Sequence, residues 1–269
     1  MLIRIGYELV FEVPAPVPML LMLYTHPEQA HALTQPENIV VEPEVAVEDF
    51  TDNFGNRCAR ILAPAGKLRL FYDNVARDSG RHEPGIEGTT LQPVEQLPPE
   101  IWQYLLASRY CEVDLLSEAA WRLFGNSPMG WGRVQAICDF VHRHVTFGYE
   151  HASATKTAGQ VLNEGRGVCR DYAHLAIALC RSMNIPARYC SGYLGDIGVP
   201  PSPAPMDFSG WFEAYVGGTW YTFDARHNTP RIGRVLIARG RDAADAAITT
   251  AFGFNTLESF RVWTDEVNE

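Results

Sequence analysis

The sequence predicts an α+β protein in which a small antiparallel β unit precedes a helical segment and a second set of strands. Three observations carry this. Apolar and polar residues alternate through several stretches up to about residue 95, the pattern of half-buried strands. From Pro99 to about Asn184 the apolar spacing becomes helical. After Pro186 the alternation returns, broken by a Gly-Gly pair.

The first unit, residues 1–95, holds four strand-like segments: "IRIGYELVFEV", "NIVVEPEVAVEDF", "RCARILAP" and "KLRLFYDNVARD". "DNFGN" (Asp52 to Asn56) separates two of them and reads as a turn. Pro14, Pro16 and Pro18 confine their stretch to an edge or a loop, because proline cannot donate to a ladder. "EGTTLQPVEQLPPE", residues 87–100, is the linker, and residues 96–269 form the second unit.

There, "PEIWQYLLASRYC" opens with proline at a helical first turn, and "EVDLLSEAAWRLF" stops at Gly125-Asn126. "MGWGRVQAICDFVHRHVTF" carries Val134, Ile137, Cys138, Val141 and Val145 at helical spacing. "TKTAGQVLNEGRG" is a short helix running into glycines. The next helix starts near Cys169 and stops at Asn184 before Ile185-Pro186. "ARYCSGYL", "DFSGWFEAYV", "TWYTFDARH" and "RVLIARG" read as strands, with a hairpin at Gly217-Gly218.

The 269 residues suit one large domain or two small ones, and 46% hydrophobic with 20% charged residues is an ordinary globular composition. A net charge of −10 argues against nucleic acid or an anionic membrane as partner, since phosphate binding needs clustered Lys and Arg. The N-terminus lacks the features of a signal peptide, and the early apolar run "VPMLLMLY" is too short to span a bilayer. The six cysteines form no CxxC pair, so neither a zinc site nor a redox motif is expected. All six are read as reduced thiols, which places the protein in the cytoplasm.

One cysteine is differently placed. In "GRGVCRDYAHLAIALC" (165–180), Cys169 follows two glycines and opens a helix. Free N–H groups and the helix dipole at that corner favour a thiolate. Gly165 and Gly167 let a substrate carbonyl approach, and the N–H of Cys169 is a candidate oxyanion donor. This setting suits acyl transfer. The other five cysteines read as small apolar residues.

The stretch "GRGVCRDYAHLAIALCRSMNIPARYCSGYL" resembles the nucleophile region of the bacterial transglutaminase-like superfamily, in which G-x-C-R/Q-D-[FY]-A-H-L is followed by G-I-P-A-R-Y-x-S-G-Y. "WYTFDARHNTPRIGRVLIARGRDAADAAITTAFG" resembles the segment after the family's catalytic hairpin, and "DNFGN" a turn in the β domain that precedes many bacterial members. The resemblance implies a papain-like core, with a helix-borne Cys packed on an antiparallel sheet and His and Asp on adjacent strands. It implies a thiol enzyme acting on amide or peptide bonds, as an amidase, peptidase or acyltransferase with a peptide or protein substrate. Neither cofactor nor metal is needed for that chemistry, although some members bind calcium.

The family's histidine sits in a D-F-H-A-W-type segment. Here the segment is "DFSGWFEAY", with Ser209 in the histidine slot and Gly210 in the alanine slot. Asp224 falls in the acid slot. If Val216 pairs with Thr219, Ser209 faces Arg226, and Asp224 shares that face. The candidate site is therefore Cys169 as nucleophile, Asp224 as orienting acid and His227 as substitute base. His227 reaches the thiol only if its strand ends near Ala225 or Arg226. His174 points away from the thiol and reads as structural. Asp207 shares the face of Ser209 and is placed to fill the vacated space. Asp171 is a cap or a partner of Arg170 or Arg188. The competing reading is a catalytically weakened protein that binds peptide or a protein partner in the old cleft. It rests on Ser209, whereas Cys169 and Asp224 favour the enzyme.

Overall fold

The computed structural model describes residues 1–82, 88–202 and 204–267. The N-terminal part supplies β1 (Leu2–Val13), β2 (Val17–Leu21), β3 (Val40–Glu42), β4 (Glu48–Thr51), β5 (Arg57–Ala63) and β6 (Gly66–Arg77). Strict alternation shapes β1: Ile3, Ile5, Tyr7, Leu9, Phe11 and Val13 are all buried. They pair in register with β6, with Tyr7 opposite Tyr72 and Leu9 opposite Leu70. The expected strand over "NIVVEPEVAVEDF" is two short strands, β3 and β4, parted by a cis Glu42-Pro43 bond. "DNFGN" is a turn in which Oδ1 of Asp52 accepts from the N–H groups of Phe54 (2.8 Å) and Asn56 (2.9 Å).

Of the expected linker 87–100, Glu87 lies outside the described residues. The expected helix from Pro99 is a 3₁₀ stretch, Pro99–Tyr104, which ends before Leu105. The helical part then runs α1 (Val113–Phe124), α2 (Trp131–His144), β7 (Thr146–Phe147), α3 (Ala158–Glu164), β8 (Arg166–Gly167) and α4 (Cys169–Ser182). α4 is the central helix. Every residue from Asp171 to Ser182 is buried, as expected of a helix enclosed on all sides. It packs against α1, α2, α3, and the strands β9 (Ala187–Tyr193) and β10 (Ser209–Val216). Buried Arg181 locks its C-terminal end, donating through Nε (3.0 Å) and Nη2 (2.8 Å) to the carbonyl of Ala187 and through Nη1 to that of Leu106 (2.9 Å).

β9 and β10 form a four-stranded antiparallel sheet with β11 (Thr219–Phe223) and β12 (Val235–Gly240), in the order β11-β10-β9-β12. The expected Val216–Thr219 pairing is present. The chain then returns to its start. β13 (Thr249–Ala251) pairs with β2, and β14 (Thr256–Val267) runs along β1. The two N-terminal sheets, β14-β1-β6-β3 and β13-β2-β5-β4, are thus each completed by a strand from residues 249–267. Asn56 joins the halves by two hydrogen bonds to the backbone of Arg239 (2.7 and 2.8 Å). Among the described residues, no helix is long and apolar enough to cross a membrane.

Candidate active site

The corner at Cys169 is built by its neighbours. α3 ends in Gly165, whose left-handed backbone (φ 64°) suits glycine. Gly167 has no room for a side chain, since a Cβ there would lie 2.6 Å from the Cβ of Asp171. Asp171 needs that space because its Oδ2 accepts from the N–H of Val168 (2.9 Å), capping the start of α4. Its Oδ1 takes Arg170 (3.2 Å), while Arg188 pairs with Glu213 instead. Cys169 is the first residue of α4 and is half-buried, whereas the other five cysteines are buried. Burial pushes the Cys169 thiol up, and the charge of Arg226 and the N–H groups of Gly210 and Arg170 offset this only in part. At this helix start, desolvation outweighs the stabilisation of a thiolate that the sequence leads one to expect.

The hairpin ladder stops at Phe212–Phe223, so Ser209 does not pair with Arg226 as a continuous strand requires. The cause is Asp224. Its Oδ1 accepts from the N–H groups of Arg226 (2.9 Å) and His227 (3.0 Å), and its carbonyl accepts from the N–H of Asn228 (2.8 Å). These local bonds replace ladder bonds and curl the chain into a turn. Asn228 takes a positive φ of 52° as the turn closes. The turn folds His227 back onto Asp224, with Nδ1 2.8 Å from Oδ2. Arg234 donates to the same oxygen from 2.8 Å. Burial opposes ionisation of Asp224, but Arg234 and the His227 hydrogen bonds outweigh it and hold the carboxyl far below the usual range. A carboxylate only accepts, so Nδ1 of His227 carries a proton, and in the neutral imidazole Nε2 is the acceptor. His142 braces the turn through Nδ1 and the carbonyl of Arg226 (2.8 Å).

Two cavities meet at Cys169. The smaller, about 50 Å³, is lined by Cys169, Asp207, Ser209, Arg226, His227 and Tyr149. The larger, about 580 Å³, is lined by Cys169 together with Tyr189, Phe208, Ile248 and Phe260, among others. Asp207 and Ser209 face both. Ser209 is 6% exposed, and its Oγ has no hydrogen-bond partner among the described residues. A Cβ on Gly210 would meet the hydroxyl of Tyr189 at 2.6 Å, which accounts for glycine in that slot.

His174 is fully buried between the rings of Tyr110 and Tyr189 and accepts the N–H of Ala243 through Nε2 (3.1 Å). It is structural. Arg234 and Phe260 escaped the sequence reading. Arg234 lies ten residues beyond Asp224, and Phe260 belongs to β14, whose partner strand no local pattern specifies. Among the described residues, no group of three or more His, Cys, Asp or Glu side chains is arranged to hold a metal ion.

A helix-borne thiol packed on an antiparallel sheet thus lines a small cavity together with a histidine held by a buried carboxylate. The comparisons bear on the fold and its family. The profile of the transglutaminase-like superfamily matches residues 120–225. A candidate cysteine protease from Cytophaga hutchinsonii superimposes with a TM-score of 0.86 at 30% identity, covering 100% of this chain and 91% of that one. An uncharacterised protein of Mycobacterium tuberculosis is 30% identical over 244 residues, 80% of this chain and 73% of that protein. One from Mycobacterium leprae is 37% identical over 90 residues, about a third (32%) of each chain. The chain belongs to the transglutaminase-like superfamily.

Proposed function

We propose that this protein is a cysteine-dependent amidohydrolase or acyltransferase acting on amide or peptide bonds, with Cys169 as nucleophile, His227 as base and Asp224 as orienting acid. One observation carries the reading: the turn at Asp224 holds an imidazole at 2.8 Å and brings it into the cavity that Cys169 lines. Because burial keeps the thiol protonated, the base must take its proton during attack. Sγ attacks the carbonyl carbon as Nε2 of His227 accepts the thiol proton, and Nδ1–H keeps its bond to Asp224. The imidazolium then gives the proton to the departing amine, leaving a thioester on Cys169. Water or an amine attacks the thioester, and His227 repeats the transfer. A peptide or protein is the substrate, and six unbridged cysteines suit the reducing cytoplasm.

A second reading, a weakened enzyme that binds peptide, is favoured by Ser209 in the histidine slot and by the raised thiol. A panel of peptide and glutaminyl amides, assayed for amine release, separates the two. The enzyme reading predicts turnover that Cys169→Ala abolishes with the fold intact by circular dichroism. Binding without turnover in the wild type supports the second reading.

A further inference from the structure

Two polar groups of the cleft have no part in the proton transfers above. Asp207 borders both cavities at Cys169. Burial pushes its carboxyl up, while the N–H of Phe208 and the charge of Arg226 favour the carboxylate. The guanidinium of Arg226 lies over the ring of Phe147, 3.8 Å from its centroid. Ser209, two residues on, presents a buried Oγ with no partner among the described residues. A carboxylate beside an apolar cleft is costly until a cation meets it. A primary ammonium has three donors and no acceptor, and a carboxylate with a hydroxyl supplies complementary acceptors. Two arginines line the cavities: Arg170, engaged by the carbonyl of Ser153 and the carboxylate of Asp171 in the larger, and Arg226 in the smaller. Beyond Asp207 the large cavity is lined by Ala154, Ala246, Ala247, Ile248, Phe208 and Phe260, which suit an apolar side chain.

We propose that Asp207 and Ser209 receive the free α-ammonium of the acyl donor, so that the enzyme acts on the carbonyl of an N-terminal residue with an apolar side chain. This rests on the reading of Cys169 as nucleophile. The α-nitrogen is two bonds from the attacked carbonyl carbon, which matches groups that line the same cavities as the thiol. An N-acylated substrate leaves Asp207 buried against an amide and loses a charge-assisted bond, about tenfold or more in rate.

The test compares L-leucine chloromethyl ketone with its N-acetyl counterpart at pH 6.5, measuring the labelling rate of Cys169 by peptide mass spectrometry. Iodoacetamide, which carries no amine, reports on the thiol itself. The free-amine probe is expected to label at least tenfold faster than the acetylated one. The ratio should fall towards one in Asp207→Asn and fall partway in Ser209→Ala. Because each variant is read as a ratio, a change in thiol reactivity cancels. Equal labelling by the two ketones, with Cys169 reactive to iodoacetamide, overturns the proposal and leaves the thiol reading standing. It would place any ammonium on the acyl acceptor. A preference that survives Asp207→Asn overturns it as well. A thiol inert to all three reagents removes the nucleophile, and this proposal with it.

Discussion

Replacing Gly210 by alanine tests how tightly the thiol's surroundings are packed. The new Cβ would lie 2.6 Å from the Tyr189 hydroxyl oxygen and 3.2 Å from its Cζ, where ordinary contact begins at 3.4 Å. Tyr189 has little room to move: it is 5% exposed, and its ring packs on His174 with centroids 5.2 Å apart. Overpacking of this kind costs about 1–3 kcal/mol. Tyr189→Phe deletes the oxygen at 2.6 Å and leaves only the milder contacts with Cζ (3.2 Å) and Cε2 (3.3 Å). The double variant should therefore recover most of the loss, with a coupling energy of about 1–2 kcal/mol. Urea unfolding of wild type, both single variants and the double variant at pH 7 gives that coupling directly. Additive effects, or a Gly210→Ala variant within about 0.5 kcal/mol of wild type, would refute the argument. Because the Gly210 N–H lies against Cys169, the single variant should also change the alkylation rate of that thiol.

Two further outcomes follow from buried imidazoles and the vacant slot. His26 is 4% exposed, and burial, aided by Arg239, depresses it to about 4, with Glu28, Arg188 and Glu213 also facing it. The unfolded chain takes up this proton near pH 6.5 and the folded chain only near pH 4, so stability is full above 6.5 and falls by about 3 kcal/mol between them. His26→Leu should flatten that part of the stability profile, and parallel profiles in urea would contradict the assignment. In a His227→Ala background, Ser209→His should raise Cys169 acylation by about tenfold or more, because position 209 lines both cavities with the thiol. No gain in a folded double variant would mean that an imidazole at 209 cannot reach Sγ.

Much of the site was legible because its signals are local. Glycine spacing before Cys169, an acidic residue two positions after it, and Gly217-Gly218 each act over a few residues, and the structure shows the corner, the cap and the hairpin they specify. The end of β11 was not legible. An alternating run that includes Asp224 reads as continuous strand, yet the carboxylate captures two backbone N–H groups that the ladder would otherwise use. Whether His227 faces the thiol depends on that competition. Burial of the thiol was hidden for another reason: a helix start fixes the dipole, but distant parts of the chain, among them Phe208, Ile248 and Phe260, determine how much water reaches Sγ. The return of residues 249–267 to β1 and β2 is a pairing between chain ends, which alternation cannot specify.

The central claim is that His227, held by Asp224, takes the proton of a thiol that burial keeps neutral. The direct test is the rate of Cys169 alkylation by iodoacetamide from pH 5 to 10 in wild type and His227→Ala, with the five buried cysteines as internal references. The account predicts two limbs in wild type. One depends on His227 and lies below the alkaline range, and the other is alkaline, where the thiol itself ionises. In His227→Ala only the alkaline limb should remain. Superimposable profiles in the two proteins would contradict the account.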